Sequence, residues 1–455
     1  MALRSDDRLT RPEVVSVETR GPLHPSTNRT VAGAMSPLLT RLFGGSPPVR
    51  VVFWDGSAAG PVGGPGTLVL RAPRSLARLV WSPDELGMAR GFVTGDIDFD
   101  GDLFEVLVAL EAKMRGRRRL GPRAVASGLW AGLRLGAIGL PPSRPEEEIH
   151  LGGWLHSKRR DAVAVQHHYD VGNDYYRLVL GPAMTYSCAR FDRQGMSLEE
   201  AQRSKHDLIC RKLGLGERPG ARLLDVGCGW GSMAIHAARD YDARVVAVTL
   251  SRPQVELARE RVRDAGLEEN VEIRLQDYRD LRGETFDAVS SIGMFEHVGA
   301  KRMDEYFSVL FSLLAPTGRL LNHAISTPGG SRMHGRNFMN RYVFPDGELV
   351  DLANVVGAMQ RAGFEVRDVE SLREHYSETL HAWLRNLESS WEEAVALVGE
   401  PRARVWRLYM AGSANGFDDG GIAVHQVLGV VPAQGGASGM PRARTGWGWH
   451  MEEQS

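Results

Sequence analysis

From residue 161 onward the chain alternates short apolar runs with longer amphipathic stretches. The runs are ARLLDVG (221–227), ARVVAVTL (243–250), VEIRLQD (271–277), FDAVSSIG (286–293) and GRLLNHAIS (318–326). Brief apolar runs bounded by turn formers predict strands. Between them, 232–240, 253–265 and 301–314 carry helical spacing. This alternation predicts an α/β unit over 161–431 with a parallel sheet covered on both faces.

Upstream the pattern changes. VRVVFWDGS (49–57) and GTLVLRAP (66–73) predict strands broken by Gly/Pro turns, and 75–110 predicts short helices around a Gly-Asp-rich turn. Together 31–110 reads as a small α+β domain. Residues 111–160 turn from basic to apolar to Pro-rich and acidic, which marks a connector. Residues 1–30 and 432–455 are polar and patternless and are expected to be disordered tails.

Composition excludes several classes. A formal net charge of -1 gives no general attraction for nucleic acid. Three cysteines, Cys188, Cys210 and Cys228, stand in no metal-ligand spacing. That suits a reducing compartment and argues against a disulfide scaffold or a structural zinc. The N-terminus lacks the apolar core of a secretion signal, and no apolar run approaches the ~20 residues that span a bilayer. A cytoplasmic chain that meets a membrane at its inner face is expected. The basic run KMRGRRRLGPR (113–123), with Trp130, Leu133, Leu135 and Ile138 after it, has the composition of an interfacial anchor. A solvated linker face would look the same.

The chemistry concentrates at LLDVGCGWGS (223–232). Gly227, Gly229 and Gly231 would let a ligand approach the backbone at the carboxyl edge of a sheet, although a tight turn without ligand also uses such glycines. The second strand ends in TLSRPQ, placing Thr249, Ser251 and Gln254 where a bound ribose would lie. The third ends in QDYRD, placing Asp277 and Tyr278 beside an adenine. No Lys-Ser/Thr follows the glycines, which disfavours Walker-type phosphate binding.

The phrases LLDVGCGWG, VTLSRPQ, DYRD and SIGMFEHVG (291–299) together resemble the S-adenosylmethionine-binding core of cyclopropane fatty acid synthases. So do HHYDVGNDYYRLVLGPAMTYSCARFD (167–192), REHYSETLHAWLRNLE (373–388) and RVWRLYMAGSANGF (404–417), and the likeness runs over residues 36–430. RYVFPDGEL (341–349) and NHAISTP (322–328) further resemble the actinobacterial fatty-acid methyltransferases of tuberculostearic acid synthesis. Those enzymes make a 10-methylene branch that a partner flavin-dependent reductase saturates.

The resemblance implies a class I methyltransferase fold, Rossmann-like, with a mostly parallel seven-stranded sheet and a small N-terminal domain linked to lipid engagement and homodimer contacts. It implies S-adenosylmethionine as cofactor, held by Tyr186, Ser187, Asp225, Gly227, Gly229, Gly231, Thr249, Ser251, Gln254, Asp277 and Tyr278. The second strand lacks an acid to grip the ribose, as the family does. The implied substrate is an unsaturated phospholipid acyl chain at the membrane surface, and the product a 10-methylene chain or a cyclopropane. The implied proton acceptor is a bound bicarbonate, with Cys188, Glu296, His323, Tyr376 and the Ile325 backbone around it.

Each of these residues also has a structural reading. Glu296 could be an acid at a helix N-terminus, Cys188 a small buried hydrophobe, His323 a satisfied core histidine, and Tyr376 a packing residue. His297 is explained equally well by helix capping, and His167 and His168 read as structural. In the long connection 327–346, Phe338, Tyr342 and Phe344 would line or roof an acyl tunnel.

Overall fold

The computed structural model describes residues 30–114, 126, 130, 132–136, 139–149, 171–329, 337–345 and 347–443. Residues 1–29, most of the basic run 113–123, and His167 and His168 lie outside the described residues.

The chain opens on helix Val31–Phe43, whose first turn is closed by Thr30 accepting from the Gly33 N–H. Its Met35, Leu39 and Phe43, one above another at i, i+4 spacing, are buried. A four-stranded sheet follows, built from β1 (Arg50–Val52), β2 (Ala58–Ala59), β3 (Gly66–Leu70) and β4 (Ile97–Gly101), in the order β2-β1-β3-β4. Strand β4 corrects the expected Gly-Asp-rich turn. IDFDG pairs antiparallel with β3, Phe99 opposite Leu68, because Ile97 and Phe99 alternate inward while Asp98 and Asp100 alternate outward.

The larger sheet holds β5 (Arg222–Val226), β6 (Arg244–Thr249), β7 (Val271–Leu275), β8 (Phe286–Ile292), β9 (Leu314–Thr327), β11 (Glu365–Ser371) and β12 (Ala423–Val430), in the order β7-β6-β5-β8-β9-β12-β11. The two-residue β10 (Val350–Asp351) adds to β9. The first five strands are parallel and β12 runs antiparallel to both its neighbours, so the sheet is mostly parallel. The expected helices appear as Ser232–Tyr241, Arg252–Asp264 and Met303–Ser312. Strand order reverses between β5 and β8, which opens a crevice at their carboxyl ends.

The two sheets do not stand apart. Phe92, Val106 and Leu110 belong to the same apolar cluster as Tyr175, Trp383, Trp406 and Phe417. At this junction the Arg404 guanidinium reaches both oxygens of Asp98 at 3.2 Å and Glu400 at 2.9 Å. Residues of the connector are strapped down as well, Glu148 pairing with Arg90 at 2.8 Å and Ile149 N–H donating to Arg341 O at 2.7 Å.

Part of the segment expected to be a disordered tail is held in place. Buried Arg319 donates to Gly439 O at 3.1 Å, and Met440 packs against the core, so 432–440 is anchored. A guanidinium buried under the sheet needs acceptors, and this segment supplies one. No helix among the described residues is long and apolar enough to cross a membrane.

Candidate active site

At the end of β5 the chain turns through Gly227, Gly229 and Gly231, with φ of 75°, 54° and 79°. These left-handed conformations explain the choice of glycine. The three differ in duty. A Cβ on Gly227 would meet Met294 at 3.0 Å, while one on Gly229 would meet nothing within 4 Å because it faces the open crevice. Both line a cavity at the carboxyl edge; Gly231 does not. It caps helix Ser232–Tyr241, and an added Cβ there would press on Ala258 at 3.4 Å.

The same cavity is walled by Tyr186, Ser187, Asp225, Thr249, Gln254, Asp277 and Tyr278, nine of the eleven expected cofactor residues once Gly227 and Gly229 are counted. Ser251 is the other exception. Its hydroxyl accepts from the Gln254 N–H and caps helix Arg252–Asp264, so it positions Gln254 from outside the wall. Thr249 donates to Gln254 Oε1 at 2.8 Å. Asp277 is bound to Arg279, 2.7 Å away, and to that residue's N–H. Asp225 accepts from Ser290 at 2.7 Å through Oδ1, and its Oδ2 is buried without a partner among the described residues. Burial raises its carboxyl to a pKa of about 6. Arg261 braces this floor by donating to Trp230 O at 2.6 Å, Ser232 Oγ at 3.0 Å and Ala183 O at 3.2 Å.

Lys205, His206, Met294 and His297 also line the cavity and were not anticipated as site residues. For Lys205 a signal existed. Leu198, Ala201, Lys205, Leu208 and Lys212 recur at helical spacing on the buried stripe of helix Leu198–Leu213, a place where lysine is out of character.

None of Cys188, Glu296, His323, Ile325 and Tyr376 lines that cavity; hydrogen bonds join Glu296 to Ile325, and Cys188 to Tyr376 through the Leu372 carbonyl. Two of them adjoin its wall in the chain, Cys188 following Ser187 and Glu296 following Met294 by two residues. Strand β8 ends at Ile292, opposite His323, so the next N–H of β9 on that side lacks a ladder partner. Glu296 Oε1 supplies it by accepting from Ile325 N–H at 2.7 Å. Its Oε2 is buried with no partner among the described residues, and burial raises the carboxyl to a pKa of about 7. A solvated helix-terminal acid would show neither property.

His323 shares a face of β9 with Ile325, two residues on. Gln426, directly opposite on β12, places its amide nitrogen 3.3 Å from His323 Nδ1. Nε2 is buried without a partner among the described residues, and burial holds the imidazole well below its usual pKa. Cys188 is fully buried, which raises its thiol pKa, and it donates to Ala189 O at 3.1 Å and Leu372 O at 3.6 Å. Leu372 O also accepts from the Tyr376 N–H at 3.1 Å, which ties the two residues to one carbonyl. The Tyr376 ring packs on Phe417, with centroids 4.6 Å apart.

Aromatic rings enclose the region. Tyr186 donates to the Tyr409 hydroxyl at 3.0 Å, and its ring lies 5.3 Å from Trp383, 5.7 Å from Tyr176 and 5.8 Å from Trp406. From the described part of the long connection, Phe344 stacks 6.5 Å from Tyr186. Phe338 and Tyr342 stack on each other, and the Phe338 N–H donates to Glu85 of the small domain at 3.2 Å. No group of three metal-ligating side chains occurs among the described residues.

The cavity suits a nucleoside-bearing ligand. It offers a hydroxyl–amide pair at the β6 end, an aromatic ring at the β7 end, a glycine floor and an unmatched buried acid. Comparison with known proteins agrees. Residues 156–427 match the family model of mycolic acid cyclopropane synthetase. The chain is 42% identical over 406 residues to a "Probable fatty acid methyltransferase" of Mycobacterium tuberculosis, covering 87% of this chain and 94% of that one. It is 37% identical over 303 residues to the cyclopropane-fatty-acyl-phospholipid synthase of Escherichia coli, covering 65% of this chain and 76% of that one. Among solved structures, a mycolic acid cyclopropane synthase complexed with SAH and CTAB superposes with a TM-score of 0.56 at 36% identity, covering 59% of this chain and 98% of that one. A glycine-floored crevice at the switch point and a match of this extent lead to one assignment: the chain belongs to the cyclopropane synthase family of S-adenosylmethionine-dependent methyltransferases.

Proposed function

We propose that the enzyme methylates the cis double bond of an unsaturated phospholipid acyl chain and releases a 10-methylene chain. An isolated alkene is a weak nucleophile, so alignment with the donor and exclusion of water must supply much of the rate. The bound cofactor supplies the electrophilic methyl group. The Tyr176, Tyr186, Trp383 and Trp406 rings offer an apolar wall for the chain, and the cation formed on it must then lose a proton.

The observation that carries this reading is that Glu296 Oε2 and His323 Nε2 are buried with no partner among the described residues. A carboxyl with a pKa of about 7 is suited to accept a proton near neutrality. The group fits a small oxyanion such as bicarbonate. Cys188, His323 and Tyr376 would donate to it and Glu296 would accept, while the Ile325 N–H acts through Glu296. A bicarbonate held there would supply proton acceptance.

The likeness to fatty acid methyltransferases over 87% of the chain supports the methylene product. The Escherichia coli relative favours a second reading, closure of a cyclopropane ring on the same substrate. Under the first reading a flavin-dependent reductase would consume the product. A homodimer working at the inner membrane face accompanies either. Lipids from a host expressing the enzyme alone, analysed by mass spectrometry that locates the branch, decide the matter. A methylene at carbon 10 supports the first reading, a ring the second, and unmodified oleoyl chains refute both.

A further inference from the structure

Helix Leu198–Leu213 buries two lysines seven residues apart on one face, and their surroundings differ sharply. Lys212 ends between two carboxylates, Asp368 at 3.0 Å and Glu370 at 2.5 Å. Lys205 is equally buried, yet among the described residues no carboxylate stands within ion-pair distance of it. Its ammonium donates to Ser187 Oγ at 3.0 Å and lies 3.0 Å from His206 Nε2. Burial holds His206 well below its usual pKa, so both partners are neutral. Burial lowers the Lys205 ammonium to a pKa of about 7; Asp225 draws it back up through space but stands beyond ion-pair distance, so an anion in direct contact would hold the charge.

That anion has a place to come from. Lys205 and Ser187 line the cofactor cavity, and so does Asp225, whose buried Oδ2 has no hydrogen-bond partner among the described residues. The cavity therefore presents a buried amine and a buried carboxyl that attract each other through space without forming an ion pair, and a ligand lodged between them would meet both. The complementary ligand is a zwitterion, and the cofactor ends in an α-amino-acid group. We infer that Lys205 binds the α-carboxylate of the cofactor, with Asp225 facing its α-ammonium. The proposed oxyanion site is the other source of a carboxyl-like anion, but its residues Cys188, Glu296, His323 and Tyr376 lie outside the cavity that Lys205 lines.

The inference rests on cofactor use and is independent of which product forms. Titration calorimetry on the full chain at pH 6.5 tests it with two ligands, S-adenosylhomocysteine and its decarboxylated counterpart ending in an aminopropyl group. The wild type should bind the carboxylate-bearing ligand at least about tenfold more tightly. Lys205→Met should weaken that ligand roughly thirtyfold or more, the usual scale for truncating a buried charge pair, and change the other less than about threefold. Equal losses for both ligands would make Lys205 a structural residue and overturn the inference. Unchanged affinity with lost activity would move it to the oxyanion site and overturn it too. If Lys205→Met does not fold, equal affinity of the wild type for the two ligands is the overturning result.

Discussion

Replacing Glu296 by glutamine tests the site through two independent readouts. The change keeps shape and the Oε1 acceptor for the Ile325 N–H, now 2.7 Å away, and removes only the ionisation. Glu296 is buried, and its pKa rises from 4.5 to about 7. That difference corresponds to about 3 kcal/mol between the protonation states. The sign follows from linkage. In the unfolded chain the carboxyl ionises near 4.5, whereas in the folded chain it holds its proton until about 7. Its contribution to stability is therefore complete at acid pH and is lost as pH climbs through that window. Glutamine does not titrate, so the stability of Glu296→Gln relative to wild type should improve by about 2–3 kcal/mol between pH 5 and pH 8. Urea denaturation of both proteins at the two pH values measures this, and other titrations cancel in the difference. In turnover assays the variant should lose roughly 10²- to 10⁴-fold in kcat, the usual range for a general base, and the rising limb near neutral pH. Binding of S-adenosylhomocysteine should persist, since Glu296 does not line the cofactor cavity. A pH-independent stability difference would refute the burial argument, and wild-type turnover would refute the catalytic one.

Other changes separate residues that look alike in sequence. Gly227→Ala should weaken cofactor binding by more than about tenfold, because its Cβ meets Met294 at 3.0 Å in a left-handed conformation. Gly231→Ala should instead cost about 1–2 kcal/mol of stability with cofactor affinity nearly intact, since it lies off the cavity wall; calorimetry and denaturation read the two apart. Arg404→Met leaves Asp98 half-satisfied at the junction of the two sheets and should cost about 3 kcal/mol in urea unfolding. Gln426→Leu removes the donor facing His323 Nδ1, which should shift the tautomer seen by ¹⁵N NMR and lower turnover several-fold while cofactor affinity holds.

Local chemistry alone determined a good part of this molecule. The five apolar runs from 221 to 326 became the parallel strands β5 to β9, because strand burial on both faces leaves a period-free apolar signature that needs no partner to be read. The glycine loop was equally legible, since positive φ is a demand on single residues. Strand β4 was missed because Gly and Asp dominate IDFDG, and only pairing with β3 turns its two apolar side chains inward. Tertiary structure decided the rest. Gly231 and Ser251 look like their neighbours in the motif, yet helix packing took one and helix capping the other. Glu296, already a candidate from the resemblance, owes its buried setting to the end of β8, which left the Ile325 N–H without a ladder partner. Lys205 and Lys212 are interchangeable in sequence; Asp368 and Glu370, more than 150 residues further along the chain, satisfy one and leave the other facing the cavity. Conformation is a property of a residue and its neighbours, whereas an unmet charge depends on every group the fold brings near it.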